Sequence, residues 1–360
     1  MATKKNLVSV VNGLRDSDAT LKAALPVATE ANIQDVGNPI LSYVPVANAF
    51  LDALVNKIYL QIIRARAFRN PLALLKKGNA PLGSDIEEIH TNPVTPTAYD
   101  GTAETLLKQA PPDVAAAYHR LNRQDVYKLT IERADLRQAF TSWEAFGNMI
   151  DANVNALYSG NYIDEFRLMI NTMTGALTGD AITTKTVTDP TDESTAKALL
   201  KNMRALNRKF QLPSTDYNAW AALQTAAGVE TPTPRTTWCN PEDVVVVITA
   251  DTEALLDIEV LAAAFNIDRA QFIANNVIVI DSFGEDSNIV ALMFDRAYVQ
   301  VYDNLFMAEP FRNPETLSTT YFMHVWQTYS TSPFANAVAF VKETESDDSD
   351  TPADPAEPGE

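Results

Sequence analysis

The sequence predicts an α+β fold of two lobes joined by a linker, and three observations predict it. From Ser142 to Leu177 apolar residues recur every three or four positions, the pattern of one long helix. From residue 244 onward β-branched runs (VVVVIT, VIVID, IVALMF, YVQVYD) combine with a helical stretch to give a compact α/β lobe. Between Phe68 and Pro93 two extended arms flank a Gly/Pro/Asn-rich reversal, with Lys76 and Lys77 on one arm and Glu87 and Glu88 on the other. A hairpin of that length has little core of its own, and exposed strand edges call for cover by a neighbouring subunit. Assembly rather than catalysis is the first expectation.

The elements follow in chain order. Residues 1–45, rich in Asn, Pro and small side chains, read as an extended arm. Val46, Phe50, Leu51, Leu54, Val55 and Ile58 share one helical face. After the hairpin comes a loose segment through Pro111 and Pro112. In the long helix Trp143, Phe146, Ile150, Val154 and Leu157 lie on one side, and Ile163, Phe166, Ile170, Met173 and Leu177 resume the pattern. Gly160 between them predicts a kink or two nearly collinear helices. A Thr/Asp/Pro-rich stretch at 178–193 marks a boundary. Leu199, Met203, Leu206 and Phe210 form the inner face of a helix over 195–210, and 213–241 reads mostly as loop. The run 244–249 is a fully buried strand. Asp251 suits the N-cap of a helix with Leu255, Ile258, Leu261 and Phe265 inward. In 319–329, Tyr321, Met323, Val325 and Tyr329 alternate with Phe322, His324 and Trp326, so both faces need cover, and 336–341 is the last strand. Residues 343–360 carry eight acidic and no basic side chains with almost no apolar content, which predicts a disordered tail.

The 360 residues include 28 basic and 46 acidic side chains, a net charge of −18, or −10 once the eight tail charges are removed. That balance argues against tight nonspecific DNA binding, which needs cations against phosphate. It suits a wall that encloses DNA without adhering to it. One cysteine, Cys239, excludes an internal disulfide framework. No apolar run is long enough to span a bilayer, so no membrane partner is expected. No phosphate loop, dinucleotide fingerprint, zinc-protease motif or nucleophile elbow occurs, and His90, His119 and His324 supply little acid–base chemistry. No catalytic residue, metal or cofactor is expected. Glu87 and Glu88 are strand neighbours that point to opposite faces and cannot form a carboxylate pair by themselves. With Lys76 and Lys77 they read as inter-subunit contacts that set register. Arg64, Arg66 and Arg69 form a basic cluster expected to face a neighbouring subunit.

Several stretches carry a family resemblance: NPLALLKKGNAPLGSDIEEI (70–89), NRQDVYKLTI (122–131), FNIDRAQF (265–272), VYDNL (301–305), RNP (312–314) and HVWQTYSTSPFANAVAFV (324–341). In this order they resemble the major head proteins of phi29-like short-tailed double-stranded DNA phages. The resemblance implies a Hong Kong 97-type (HK97-like) capsid fold: an N-terminal arm, an extended loop, a peripheral domain on a long spine helix, and an axial α/β domain. Carried onto this chain, it implies an arm and first helix at 1–66 and an extended loop at 67–110. The peripheral domain with its spine takes 111–190, the axial domain 191–297, the return strands 298–342 and the tail 343–360. It further implies self-assembly into pentamers and hexamers as an icosahedral or prolate head, with a scaffolding protein, a portal protein and enclosed double-stranded DNA as partners. The place of action is then the virion, after synthesis in the host cytoplasm. An encapsulin-like nanocompartment shell is the alternative, and an acidic hydrolase on the α/β lobe is the alternative from another class.

Overall fold

The computed structural model describes residues 4–61, 68–98, 109–178, 182–255, 277–284, 287–316 and 318–343. Its helices are α1 (Lys4–Ser17), α2 (Ala19–Ala24), α3 (Ile33–Ser42), α4 (Val44–Gln61), α5 (Arg133–Ala139), α6 (Trp143–Thr178), α7 (Glu193–Phe210), α8 (Trp220–Ala226) and α9 (Ala250–Leu255). Its first strands are β1 (Gly78–Asn79), β2 (Ile86–Thr91), β3 (Val114–His119), β4 (Arg123–Glu132), β5 (Thr183–Val187) and β6 (Val244–Thr249). They are followed by β7 (Val277–Ile280), β8 (Ile289–Asp295), β9 (Val299–Asn313), β10 (Ser318–Thr331) and β11 (Ala337–Lys342). The chain divides into two compact units.

The first unit takes Met1–Ile89, Ala115–Met173 and Val299–Thr331. Its sheet has the order β1-β9-β10-β4, antiparallel apart from the parallel β1–β9 edge. Along β10, Tyr321, Met323, Val325 and Tyr329 are buried while Phe322, His324 and Trp326 are half-buried, the expected alternation. The buried face meets a helical core that includes Leu7, Val11, Leu14, Phe50, Leu54, Phe140 and Phe146.

The described part of the expected extended arm, 4–45, is instead largely helical. Leu7, Val11, Leu14, Leu21 and Leu25 are all buried, at spacings that suit two short helices. The polar residues that give this stretch an irregular look are bonded to backbone. Asp18 caps α2 by accepting from the N–H groups of Thr20 (2.7 Å) and Leu21 (3.1 Å). Asn12 donates to the Ala28 carbonyl (3.0 Å) and accepts from its N–H (2.8 Å). Gly37 of α3 lies against Phe140, where an added Cβ would come within 2.7 Å of that side chain's Cβ. The helix expected from Val46 becomes α4; the side chains of Val55 and Ile58 lie outside the described set.

Helix α6 runs unbroken through Gly160, about 54 Å for 36 residues. A Cβ added at this glycine would sit at ordinary contact distance (3.7 Å) from the Tyr127 ring, and the residue does not divide the helix.

The second unit takes His90–Val114, Thr174–Tyr298 and Ser332–Glu360. Its sheet has the order β5-β11-β8-β6-β7. Val244 to Ile248 of β6 are fully buried, as a continuous β-branched run requires. Leu199, Met203, Leu206 and Phe210 of α7 pack in one core with Val244, Val246, Ile248, Met293 and Phe340. Asp192 and Thr195 start α7 with reciprocal side-chain-to-backbone bonds.

The segment 298–342 is divided between the units: β9 and β10 belong to the first sheet, β11 to the second. The reason is burial, since Ala337–Phe340 is covered on both faces and β11 sits between β5 and β8. Asp251 lies inside the first turn of α9, and the Thr249 hydroxyl instead accepts from the Thr252 N–H (3.4 Å). Ile258, Leu261 and Phe265 lie outside the described residues, as does the acidic tail beyond Glu343. The stretch 213–241, expected as loop, contains α8. Cys239 is buried and donates to the Asn240 carbonyl (3.3 Å). Burial, and then the nearby Asp295 carboxylate, hold its thiol far above the usual range, so it remains protonated.

Candidate assembly surface

Residues 68–93 do not pair as two arms. Leu72 and Leu75, three apart, are both buried by a 3-10 turn over Pro71–Leu75. Asn70 caps it, its side-chain oxygen accepting from the Leu72 N–H (2.9 Å). The chain then lies along β9: the N–H groups of Lys77 and Ala80 donate to the carbonyls of Val301 and Asp303, each at 2.9 Å. Gly78 and Asn79 stand opposite Tyr302 and Asp303. Gly83, at φ +78°, supplies a left-handed turn. Strand β2 pairs with β3 and not with the lysine arm, so the lysine and glutamate stripes do not face each other.

This places the singled-out charges differently from one another. Lys76, read from sequence as an inter-subunit contact, has its ammonium within its own chain, 3.1 Å from Glu165 of α6 and 2.8 Å from Asp303 of β9. Burial opposes that charge, but Glu165 and Asp303 outweigh it and raise the lysine pKa above its ordinary value. The Lys77 side chain is exposed. Glu87 and Glu88 do diverge: Glu87 accepts from the Tyr118 hydroxyl (3.0 Å), and Glu88 faces Nε2 of buried His119 (3.0 Å). The Glu87 bond holds the Tyr118 phenol above its usual range. The other ring nitrogen of His119 meets the Ser330 hydroxyl. Arg69 is exposed, whereas Arg64 and Arg66 lie outside the described residues. Ile89 (61 % exposed) and Tyr118 (57 % exposed) complete an outward face with Glu87.

Sequence reasoning missed a buried polar centre in the first unit. Glu165, nearly fully buried on α6, accepts from the Asn70 amide (3.1 Å), the Gln327 amide (3.0 Å) and Lys76. Gln327 also donates to Asp303 (2.6 Å) and accepts from Arg123 and the Tyr329 hydroxyl. Arg123, also buried, is saturated: it donates to Asp125 (2.6 Å), the Tyr127 hydroxyl (2.7 Å) and Asn161 (3.2 Å) as well. Tyr127 passes its own proton toward Asp164 of α6 (2.7 Å). Every charge here has an opposite charge or several hydrogen bonds, the condition under which burial of ions is tolerated. The network fastens the loop's first arm, α6 and three strands to one another. A cleft of about 750 Å³ beside it is lined by Asn122, Arg123, Asp125, Asn171 and Thr172, and its arginine and aspartate are already paired. Among the described residues of this centre, the buried charged side chains Lys76, Glu165 and Arg123 are all engaged by partners that hold the fold together.

A model of the family described as "Phi29-like phage major capsid protein" matches residues 12–341. The major capsid protein of Bacillus phage PZA is 38 % identical over 338 residues, which cover 92 % of this chain and 72 % of that protein. That of Streptococcus phage Cp-1 is 30 % identical over 351 residues, covering 91 % and 92 %. Among solved structures, the capsid of Staphylococcus phage Andhra superposes with a TM-score of 0.62 at 16 % identity, covering 77 % of this chain and 85 % of that one. The fold is of the HK97-like capsid type, and the chain belongs to the phi29-like phage major capsid protein family.

Proposed function

We propose that the chain is the building block of a phage head, assembling into pentamers and hexamers around double-stranded DNA and acting in the virion after synthesis in the host cytoplasm. The observation that carries the reading is the family match over residues 12–341. In this reading a scaffolding protein guides closure, a portal protein takes one vertex, and DNA is held without sequence-specific contacts. Nothing beyond a shared fold favours a cargo-filled nanocompartment. The outward face of the β2–β3 ribbon meets a neighbouring subunit through Glu87, Ile89 and Tyr118, and Lys77, exposed on the separate lysine arm, contributes its charge to the neighbour contact. Glu88, engaged with His119, sets the orientation of that face, and Lys76, engaged with Glu165 and Asp303, that of the lysine arm. The Arg64, Arg66 and Arg69 cluster contributes a basic edge to the same contact. Such charges govern partner choice and register more than affinity, and many weak contacts let errors dissociate before the shell closes.

Negative-stain electron microscopy of the protein, alone and co-expressed with a scaffolding protein, tests this. Closed shells or ring-shaped capsomers are expected in at least one preparation. Small monodisperse particles in both would overturn the shell. The paired reversal Lys77→Glu with Glu87→Lys is expected to leave a folded subunit and lower shell yield. Unchanged yield would remove those two residues from the contact.

A further inference from the structure

Helix α7 carries charge of the sign opposite to the rest of the molecule. Among its 18 residues are Lys197, Lys201, Arg204, Arg208 and Lys209 against the single acid Glu193, a net of +4 in a chain of net −18. The spacing 197, 201, 204, 208 draws four of them into one stripe along the exposed side. Lys197 is paired with Glu193 (2.5 Å) and Arg208 touches Gln211 (3.4 Å). Lys201, Arg204 and Lys209 have no ion pair among the described residues. Arg208 and Lys209 in the last turn offset the helix macrodipole, but that account does not extend to Lys201 and Arg204 in the middle of the helix. On β5, Lys185 donates to Asn202 of α7 (3.0 Å), and its pKa is lowered by burial and then by the positive charge of Lys209. Lys201, Arg204 and Lys209 thus crowd like charge here with no ion pair among the described residues.

The last described residue before the acidic tail lies against β5, the strand that precedes α7. Strand β11 runs parallel to β5 with Lys342 opposite Val187, and the Glu343 N–H donates to the Val187 carbonyl (3.2 Å). Helix α7 begins six residues after Val187, at Glu193. Glu343, the last described residue before the tail, therefore sits against the strand that leads into α7, in the same unit as that helix. The 17 residues from Thr344 to Glu360 reach about 55 Å when extended. The 18-residue helix is about 27 Å long, so the tail can follow its whole length. Five of the tail's eight acids fall within its first eight residues, at 343, 345, 347, 348 and 350.

We infer that the acidic tail, 344–360, lies along the basic face of α7 in its own chain and masks that face from other polyanions. A tethered segment competes at an effective concentration in the millimolar range, which free DNA at a weak site does not match. A wall lining packaged DNA would thereby conceal the cationic face of α7. The contact is electrostatic, so it weakens as salt rises.

Zero-length carbodiimide coupling of the full-length chain at low salt, read by mass spectrometry, tests the contact. Links from Lys201 and Lys209 to Glu345, Asp347, Asp348 or Asp350 are expected. In a mixture of heavy- and light-isotope chains these links join segments of the same label. Absence of tail–stripe links, or links found only between differently labelled copies, would overturn the inference. Masking is read separately by fluorescence anisotropy with a labelled double-stranded oligonucleotide. A tail kept at full length but neutralised (Glu345→Gln, Asp347→Asn, Asp348→Asn, Asp350→Asn) is expected to bind DNA several-fold more tightly than the parent. Adding Lys201→Gln, Arg204→Gln and Arg208→Gln should abolish the gain. If the parent already binds DNA through the stripe as tightly as the neutralised form, DNA is the occupant and the tail is not. Neither readout requires a closed shell, so failure here leaves the proposed function standing.

Discussion

The two units meet the same demand for a stable core in different ways. The second places Val244–Ile248 and Ala337–Phe340 in strands buried on both faces and seals them with the apolar side of α7. The first also has an apolar core, but on the side of its sheet nearest the loop it buries Lys76, Glu165 and Arg123 in one hydrogen-bonded network. An apolar core tolerates changes of charge state in its surroundings and fails when volume is removed. A buried ionic centre keeps its volume and fails when one partner is lost, because the other charge remains desolvated. The loop proposed to meet a neighbour is thus held by geometry-sensitive bonds, while the second unit is held by packing.

The contrast can be broken most sharply in the second unit. Phe340→Ala removes a fully buried ring beside Met203 and Val246 and is expected to cost about 3–5 kcal/mol in denaturant unfolding. Amide exchange should accelerate in β5, β8 and β11 and leave β10 protected. Lys76→Met is the counterpart in the first unit. It strands Glu165 without its cation and should cost about 2–3 kcal/mol, at the low end for a buried pair because the lysine is partly exposed. Faster exchange confined to residues 76–80 and β9 would sharpen the comparison, and a loss of less than about 0.5 kcal/mol would refute the importance given to the network. Gly37→Ala should cost about 1–3 kcal/mol by forcing Phe140 to shift, measured as a lower midpoint of unfolding.

pH separates the units with smaller effects. The Lys76 pKa is raised in the folded state, so its contribution is complete below the ordinary lysine value of 10.5 and fades as pH rises through the higher folded value. Alkaline titration should therefore loosen the first unit, and Lys76→Met should remove that part of the pH dependence. Asp192, at the start of α7, behaves oppositely. The Thr195 N–H lowers its pKa, so its contribution is present above 3.8 and lost as pH falls through the folded value. Asp192→Ala is expected to give the smallest loss of all, a slight drop in Tm that vanishes in acid.

Local patterns made much of the second unit legible. The β-branched run at 244–249 and the spacing of Leu199, Met203, Leu206 and Phe210 each needed only their own neighbourhood. Period-two geometry likewise separated Glu87 from Glu88. The first unit was harder because its decisive pairings are distant. Lys76 lies 89 residues from Glu165, and no periodicity links them. The lysine arm resembled half of a hairpin because nothing local reveals β9 as its partner. At the N-terminus the leucine spacing was present at 7, 14, 21 and 25, but Asn12 and Asp18 suggested irregular chain when they were serving as backbone partners.

The sealed thiol of Cys239 has a practical consequence. A maleimide needs a thiolate at the surface, and this sulfur is both buried and held protonated, so the parent protein should be silent toward thiol reagents in its folded form. A single cysteine introduced at the exposed Glu87 position would then be the one reactive handle on the chain, with no need to remove the native residue. A fluorophore placed there would report directly on whether the ribbon's outward face becomes covered as particles form.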